Sequence, residues 1–412
     1  MTDVDLLIEG ASEVVVGPDH PEDTIQDGSV VIRDDTIVDV GSTGAISRAY
    51  PADNVATTID ASGRTVLPGF VDSHTHALFA GDRSDEFAAK LRGKTYQEIL
   101  AEGGGIYRTV DSVREASAAE LRENLLAQLD RMLAHGTTTV EVKTGYGLTL
   151  ESELQLLEII RDADERHPID VVPTLLAAHA VPRDVDAAEY VNVVIEDVIP
   201  AAADQGIAVF NDVFCDEGAF TVEQSREILE TGKAYGLTPK IHAEELAHTG
   251  AAQLAAEVGA ASADHLLQAK RDDIEALFEA DVTPVLLPGT AFGLGGDYAD
   301  ANAFFEVADR TGNDTAPVAI ATDHNPNCYS QSMGFASTVG CVGMGMAPRR
   351  AIAAMTRGGA KALNMASDAG TLSPGAPADV VVVDAPTAVH VPYNFGVNTV
   401  ETVIKGGSVV HD

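Results

Sequence analysis

The sequence predicts an α/β fold: a TIM-like (β/α)8 barrel over residues 66–370, flanked by two short-strand segments, residues 1–65 and 371–412, that meet in one small β domain built from both chain termini. Three features of the sequence predict it. Eight apolar runs in the middle of the chain alternate with Ala-, Glu- and Leu-rich segments of helical period. Both ends lack that alternation and carry short Val-rich runs between glycines and prolines. The polar residues of the middle gather where its apolar runs end, which in such a barrel is the catalytic face.

The first stretch reads DLLIEG, SEVVVG, GSVVIRDDTIVDVG and ATTIDASG, β-like runs cut by turn residues. The eight central runs are TVLPGFVDSHTH, TTTVEVKTGYG, VVPTLLAAHA, IAVFNDVFCD, PKIHAEE, ASADHL, VTPVLLPG and PVAIATDHNP. Between them SAAELRENLLAQLDRMLAHG, TLESELQLLEIIRDADERH, TVEQSREILETGKAYG and DDIEALFEA are each long enough for a crossover helix. Two segments break the alternation. DEFAAKLRGKTYQEILAEGGGIYRTVDSVREAS, after the first run, far exceeds the roughly 2–6 residues of an ordinary βα loop. Its Gly103, Gly104 and Gly105 either cradle an anion or let a lid bend. PGTAFGLGGDYADAN, after the seventh run, reads as a second loop over the site. From residue 371, TLSPGAPADVVVVDAP and NTVETVIKGGSVVHD return to short strands.

A formal charge of −38, with 64 acidic against 26 basic residues, argues against a nucleic-acid partner, because phosphate binding needs a basic face. The acids are scattered and arginine outnumbers lysine, a pattern that fits a salty cytosol in which self-repulsion is screened. No stretch approaches the roughly 20 apolar residues of a membrane span, and the amino terminus shows no basic region or cleavage site, so a cytoplasmic protein is expected. Cys215, Cys328 and Cys341 are dispersed, which leaves oxygen and nitrogen to supply any metal site.

His74 and His76 end the first run. Residues i and i+2 of a strand point to one side, so both imidazoles can reach one ion. Other run ends offer matching groups: His242 on the fifth, His265 on the sixth and Asp323 on the eighth. Imidazoles with a carboxylate suit zinc or iron, whereas calcium or magnesium demands more oxygens. Glu245, three residues past His242, stands at a strand mouth and can serve as general acid/base, and His265 reads either as a further ligand or as a donor to a reacting carbonyl. His324, next to Asp323 on a strand, is expected to face the other way.

PGFVDSHTH, HAEE, DHL and ATDHNP resemble the amidohydrolase superfamily, and the flanking strands resemble its two-part β-sandwich. HTHALFAGDRSDEF, LRGKTYQEILAEGGGI, HGTTTVEVKTGYGL, LAAHAVP, FCDEGAF and KIHAEEL are similar, in order, to the blocks of its imidazolonepropionase family. The resemblance implies metal ligands at His74, His76, His242 and Asp323, and one divalent or trivalent ion, zinc or iron, per subunit. Lys143 lies on the second run, and the fourth offers no lysine to carry a second ion. For catalysis the resemblance implies Glu245, His265 and Asp323, with His265 as the donor. It implies substrate binding by Arg83, Tyr146, His179, Glu245, Asn325, Asn327 and Cys328, with Tyr96 a weaker candidate. This chain reads TDHNPNCYS where bacterial relatives commonly continue TD-x-NPG and then Ser or Thr, so Asn327 and Cys328 depart from the pattern.

The implied reaction is hydrolytic ring opening of 4-imidazolone-5-propanoate to N-formimidoyl-L-glutamate in histidine degradation. Its substrate is a small anion, and Arg83 suits the propionate because a guanidinium fork matches a carboxylate. Neither a nucleic acid nor a membrane is expected as a partner, and a homodimer is compatible with the sequence. The rival enzyme reading is deamination of a purine- or pyrimidine-like ring. The non-enzyme rival is a metal-free binding or scaffold barrel.

Overall fold

The structure, a computed structural model, describes residues 4–17, 23–95, 98–99, 102–312 and 316–412. The amino-terminal segment supplies β1 (Val4–Val15), β2 (Thr24–Arg33), β3 (Thr36–Ser42), β4 (Val55–Asp60) and β5 (Thr65–Pro68). Then come β6 (Phe70–Asp72), β7 (Thr137–Lys143), β8 (Asp170–Ala178), β9 (Phe210–Cys215), β10 (Thr238–Ala243), β11 (Ser262–His265), β12 (Thr283–Leu286) and β13 (Ala319–Ile320). The chain ends with β14 (Val380–Val383), β15 (Val400–Lys405) and β16 (Ser408–His411).

The two ends of the chain meet as the sequence predicts. β14 pairs antiparallel with β5, Val380 opposite Pro68, so the order β16-β15-β14-β5-β1-β2-β3 mixes both termini. β1 changes partner along its length: residues 4–9 pair with β4, and Glu13 and Val14 with β5, with the register shifting between Ile8 and Ala11. That change divides the strands into the layers of a β-sandwich around Leu6, Ile8, Val30, Ile32, Val66 and Val380. Lys405 fixes this unit to the barrel floor, its Nζ 2.8 Å from Asp170 on β8 and 3.0 Å from Asp379.

β6 to β13 run parallel in sequence order, the arrangement of a (β/α)8 barrel. The crossover helices follow the predicted segments. Ala118–Ala134 starts at Ser117, whose hydroxyl accepts from Glu120 N, and buries Leu121, Leu125, Leu129 and Met132 at helical spacing. Leu150–Asp164 is capped by Thr149, and Val222–Ala234 by the reciprocal pair Thr221 and Gln224. The run TVLPGFVDSHTH, continuous in the sequence, is two strands here: Thr65–Pro68 belongs to the sandwich and Phe70–Asp72 to the barrel. Just beyond β6 and β13, Thr75 bridges His324 and the barrel closes: His76 N donates to His324 O at 2.9 Å and Asp323 N to His74 O at 3.0 Å. Among the described residues no helix is long and apolar enough to cross a membrane.

Candidate active site and metal centre

The closing hydrogen bonds join the same residues that carry the candidate donors, so His74, His76 and Asp323 are held in mutual register by backbone. His242 reaches them from the end of β10, and His74, His76 and His242 bring one ring nitrogen each within 4.8 Å of one another. Asp323 Oδ1 lies 3.6 Å from His74 Nε2 and 3.5 Å from His76 Nε2. His76 Nε2 faces His242 Nε2 at 3.3 Å, and His74 Nε2 is buried without a hydrogen-bond partner. Facing ring nitrogens and an orphaned buried one are costly unless something satisfies them. A cation accepting imidazole nitrogen and carboxylate oxygen fits that need, and the four side chains match zinc or iron chemistry. Burial holds His74 and His76 well below the ordinary histidine range, which leaves them neutral and able to donate a lone pair.

Asp323 is positioned by its own loop. Its Oδ2 accepts from Thr290 Oγ1 and its Oδ1 from Asn325 Nδ2 at 3.0 Å, and burial pushes the carboxyl up to about 6. Glu245 lies beside it, also raised, to about 8, by burial first and then by the charges of Asp323 and Asp216. Its Oε2 is 3.6 Å from His265 Nε2, and His265 Nδ1 has no partner. The neighbouring Glu244 has a different task, accepting the backbone N–H of Thr249, Gly250 and Ala252. Strained backbone collects here: Glu244, His265, Leu266 and Asp323 all have positive φ, +54°, +81°, +60° and +51°.

The predicted substrate groups fall into two places. Tyr146 and His179 adjoin the centre: His179 stacks on His76 at 4.7 Å and Tyr146 lies 5.2 Å from His179. Arg83, Asn327 and Cys328 instead line a cleft of about 580 Å³ with Phe87, Phe292 and Tyr329. Arg83 is buried and its Nε donates to Glu86 at 2.8 Å, while Asp85 pairs with Arg108. The other oxygen of Glu86 accepts from Gly105 N at 3.0 Å, and a Cβ on Gly104 would meet it at 2.7 Å. The glycine run therefore cradles an anion that belongs to the protein itself. Asn325 Oδ1 accepts from the N–H groups of both Asn327 and Cys328, and Asn327 Oδ1 accepts from Lys90 Nζ at 2.8 Å. Cys328 Sγ donates to Thr322 O, and burial raises its thiol. His324 points away as predicted, its Nε2 3.2 Å from Gln128 Oε1. Tyr96 lies outside the described residues.

Sequence reasoning missed several groups that shape this site. Asp216, at the end of β9, accepts the N–H groups of Glu245, Leu246 and Ala247 and so fixes the loop bearing Glu245. Asp264 lies 2.6 Å from His74 Nδ1 and Asp212 lies 3.1 Å from His242 Nδ1. Lys143 is fully buried between Asp212 and Glu141, its Nζ 2.8 Å from each. The signal was present as charged residues inside apolar runs, VEVK, FNDVF, PKIH and SADH.

A barrel with a two-part sandwich and a cluster of nitrogen and oxygen donors at its strand ends defines a metal-dependent amidohydrolase, and the amidohydrolase family model matches residues 65–410 of the chain. An adenosine deaminase from Xanthomonas campestris, solved with bound zinc, shares the fold with a TM-score of 0.76 at 19% identity, covering 99% of this chain and 93% of that one. Similarity to curated proteins is much closer: 58% identity to an imidazolonepropionase of Haloarcula marismortui, over 100% of this chain and 97% of that protein. An imidazolonepropionase of Geobacillus kaustophilus is 47% identical over 94% of this chain and 90% of its own length. The chain belongs to the imidazolonepropionase family of the amidohydrolases, and it is a hydrolase acting on a cyclic amide C–N bond.

Proposed function

We propose that this chain hydrolyses 4-imidazolone-5-propanoate to N-formimidoyl-L-glutamate with one metal ion, zinc or iron, per subunit. What supports the reading is the approach of one ring nitrogen each from His74, His76 and His242 to within 4.8 Å of one another, with Asp323 Oδ1 3.6 Å from His74 Nε2 and 3.5 Å from His76 Nε2. Those four residues would hold the ion. When bound, it supplies Lewis acidity, polarising a carbonyl oxygen and bringing a water's pKa down to about 7.

Every other task falls to the chain. Arg83 binds the propionate, and Tyr146 and His179 flank the ring. His265 donates a hydrogen bond to the ring carbonyl oxygen as charge develops on it. Water oxygen adds to the carbonyl carbon, the bond from that carbon to the ring nitrogen breaks, and Glu245 delivers a proton to the departing nitrogen. The former carbonyl becomes a second carboxylate, and the proton it gives up is taken by the basic formimino group, so a monoanion enters and a species with two carboxylates and one amidinium, still of net charge −1, leaves. Asn325, Asn327 and Cys328 border the tail end of the site. The substrate is a small anion, the setting cytoplasmic, and the units are the sandwich, whose amino-terminal part runs through β5 to Pro68 rather than ending at residue 65 and whose second part is residues 371–412, and the barrel between them.

The test is the ultraviolet loss of imidazolone propionate with detection of the formimino product. Absorbance loss with that product and without ammonia is the expected result. Stability of the imidazolone, with ammonia released from purine or pyrimidine rings instead, would overturn the reading.

A further inference from the structure

Beneath the three imidazoles lies a layer of charged side chains that the reaction above does not use. Glu141 and Lys143 on β7, Asp212 on β9, Lys240 on β10 and Asp264 on β11 point into the barrel and are fully buried. Lys143 Nζ lies 2.8 Å from both Glu141 Oε2 and Asp212 Oδ2. Lys240 Nζ lies 3.0 Å from Glu141 Oε1 and donates to Ser73 O at 2.9 Å. Both ammonium groups come within 4.0 Å of Asp264 Oδ2. Burying such a layer is costly, and apolar side chains of similar volume often serve stability as well or better. Stability alone does not account for it.

The layer touches the candidate ligands through two of its carboxylates. Asp264 Oδ2 is 2.6 Å from His74 Nδ1, and Asp212 oxygens are 3.1 and 3.2 Å from His242 Nδ1. His76 differs: its Nδ1 has no partner, and its ring lies flat against His179. An ionised carboxylate only accepts, so a neutral imidazole beside it carries its proton on Nδ1 and keeps the Nε2 lone pair free.

We propose that Asp212 and Asp264 are positioning residues that lock His242 and His74 in the Nδ1–H tautomer with Nε2 turned to the metal site, and that Lys143 and Lys240 hold both carboxylates as acceptors. The proposal rests on the reading of His74, His76, His242 and Asp323 as ligands. It predicts that metal affinity is set partly below the site, where no ligand atom lies.

Zinc affinity measured by competition with a chromogenic chelator tests it, in wild type, Asp212→Asn and Asp264→Asn, together with thermal unfolding of the metal-free proteins. A near-isosteric amide can donate to Nδ1 and so favours the wrong tautomer, and the expected loss is roughly 10–100-fold in affinity for each folded variant. Folded variants that bind zinc as tightly as wild type would overturn the proposal. Should either variant fail to fold, nitrogen-15 imidazole spectra of the metal-free wild type decide: Nδ1–H at His74 and His242 is expected, and Nε2–H at either overturns it. Absence of zinc binding by wild type would instead remove the ligand reading, while the same spectra still judge the tautomers.

Discussion

Glu245 and Arg83 carry the sharpest predictions at the level of single residues. Glu245→Gln keeps the shape of the side chain and removes its proton exchange, so kcat is expected to fall by roughly 10²–10⁴-fold. Metal content, measured on the same preparation, is expected to stay unchanged because Glu245 is not among the four proposed ligands; near-normal turnover would remove it from proton transfer. Arg83→Ala removes a charge-assisted bond of ~1.5–3 kcal/mol, so KM is expected to rise on the order of 10–100-fold. An unchanged KM in steady-state assays would contradict the carboxylate assignment. His74, His76, His242, His265 and Asp323 were legible as candidate donors because each stands at the end of an apolar run, and the family resemblance narrowed the candidate ligands to the four without His265; the structure brings His74, His76 and His242 together. Asp212, Asp264 and Glu86 were not legible, since each acts on a side chain or backbone group reached only through the fold, Asp264 on His74 across 190 positions of sequence.

Among the elements, the loop after β10 and the helical turns Ala354–Gly358 and Gly359–Ala362 after β13 show how local geometry serves the site and the barrel. Asp216 accepts three successive N–H groups, so Asp216→Ala should let Glu245 wander without touching a ligand. Misplacement of about 1 Å can cost on the order of 10²-fold in rate, and a kcat loss of that order is expected with metal affinity preserved. A variant with normal kcat would show that the loop needs no such clamp. Gly358 and Gly359 bring their helix onto the barrel backbone: a Cβ would stand 2.3 Å from Val318 O at the first and 2.4 Å from Val71 O at the second. Gly359→Ala is expected to destabilise by ~1–3 kcal/mol in denaturant unfolding, and Gly296→Ala, with open space around it, serves as the control. The eight strands and four of the crossover helices were readable from period and length. The division of TVLPGFVDSHTH between two sheets was not, because its apolar pattern runs unbroken while its hydrogen-bond partners change at Gly69.

For the molecule as a whole, the barrel and the joined termini followed from alternation and composition, whereas the buried layer of lysines and carboxylates emerged only from the closed barrel. The excess of 38 negative charges acts at this scale as well. Screening shortens from about 10 Å at 0.1 M salt to about 3 Å at 1 M, so thermal stability is expected to rise over that range as self-repulsion weakens. A melting temperature that is flat or falling with salt would contradict that expectation. The proposed ion at the strand ends would join backbone closure, buried imidazoles and the adjoining carboxylate in one task. Its most direct test is the metal content of the chain purified without chelators: one equivalent of zinc or iron, lost in His242→Ala, is the predicted result, and two equivalents or none in the wild type would contradict it.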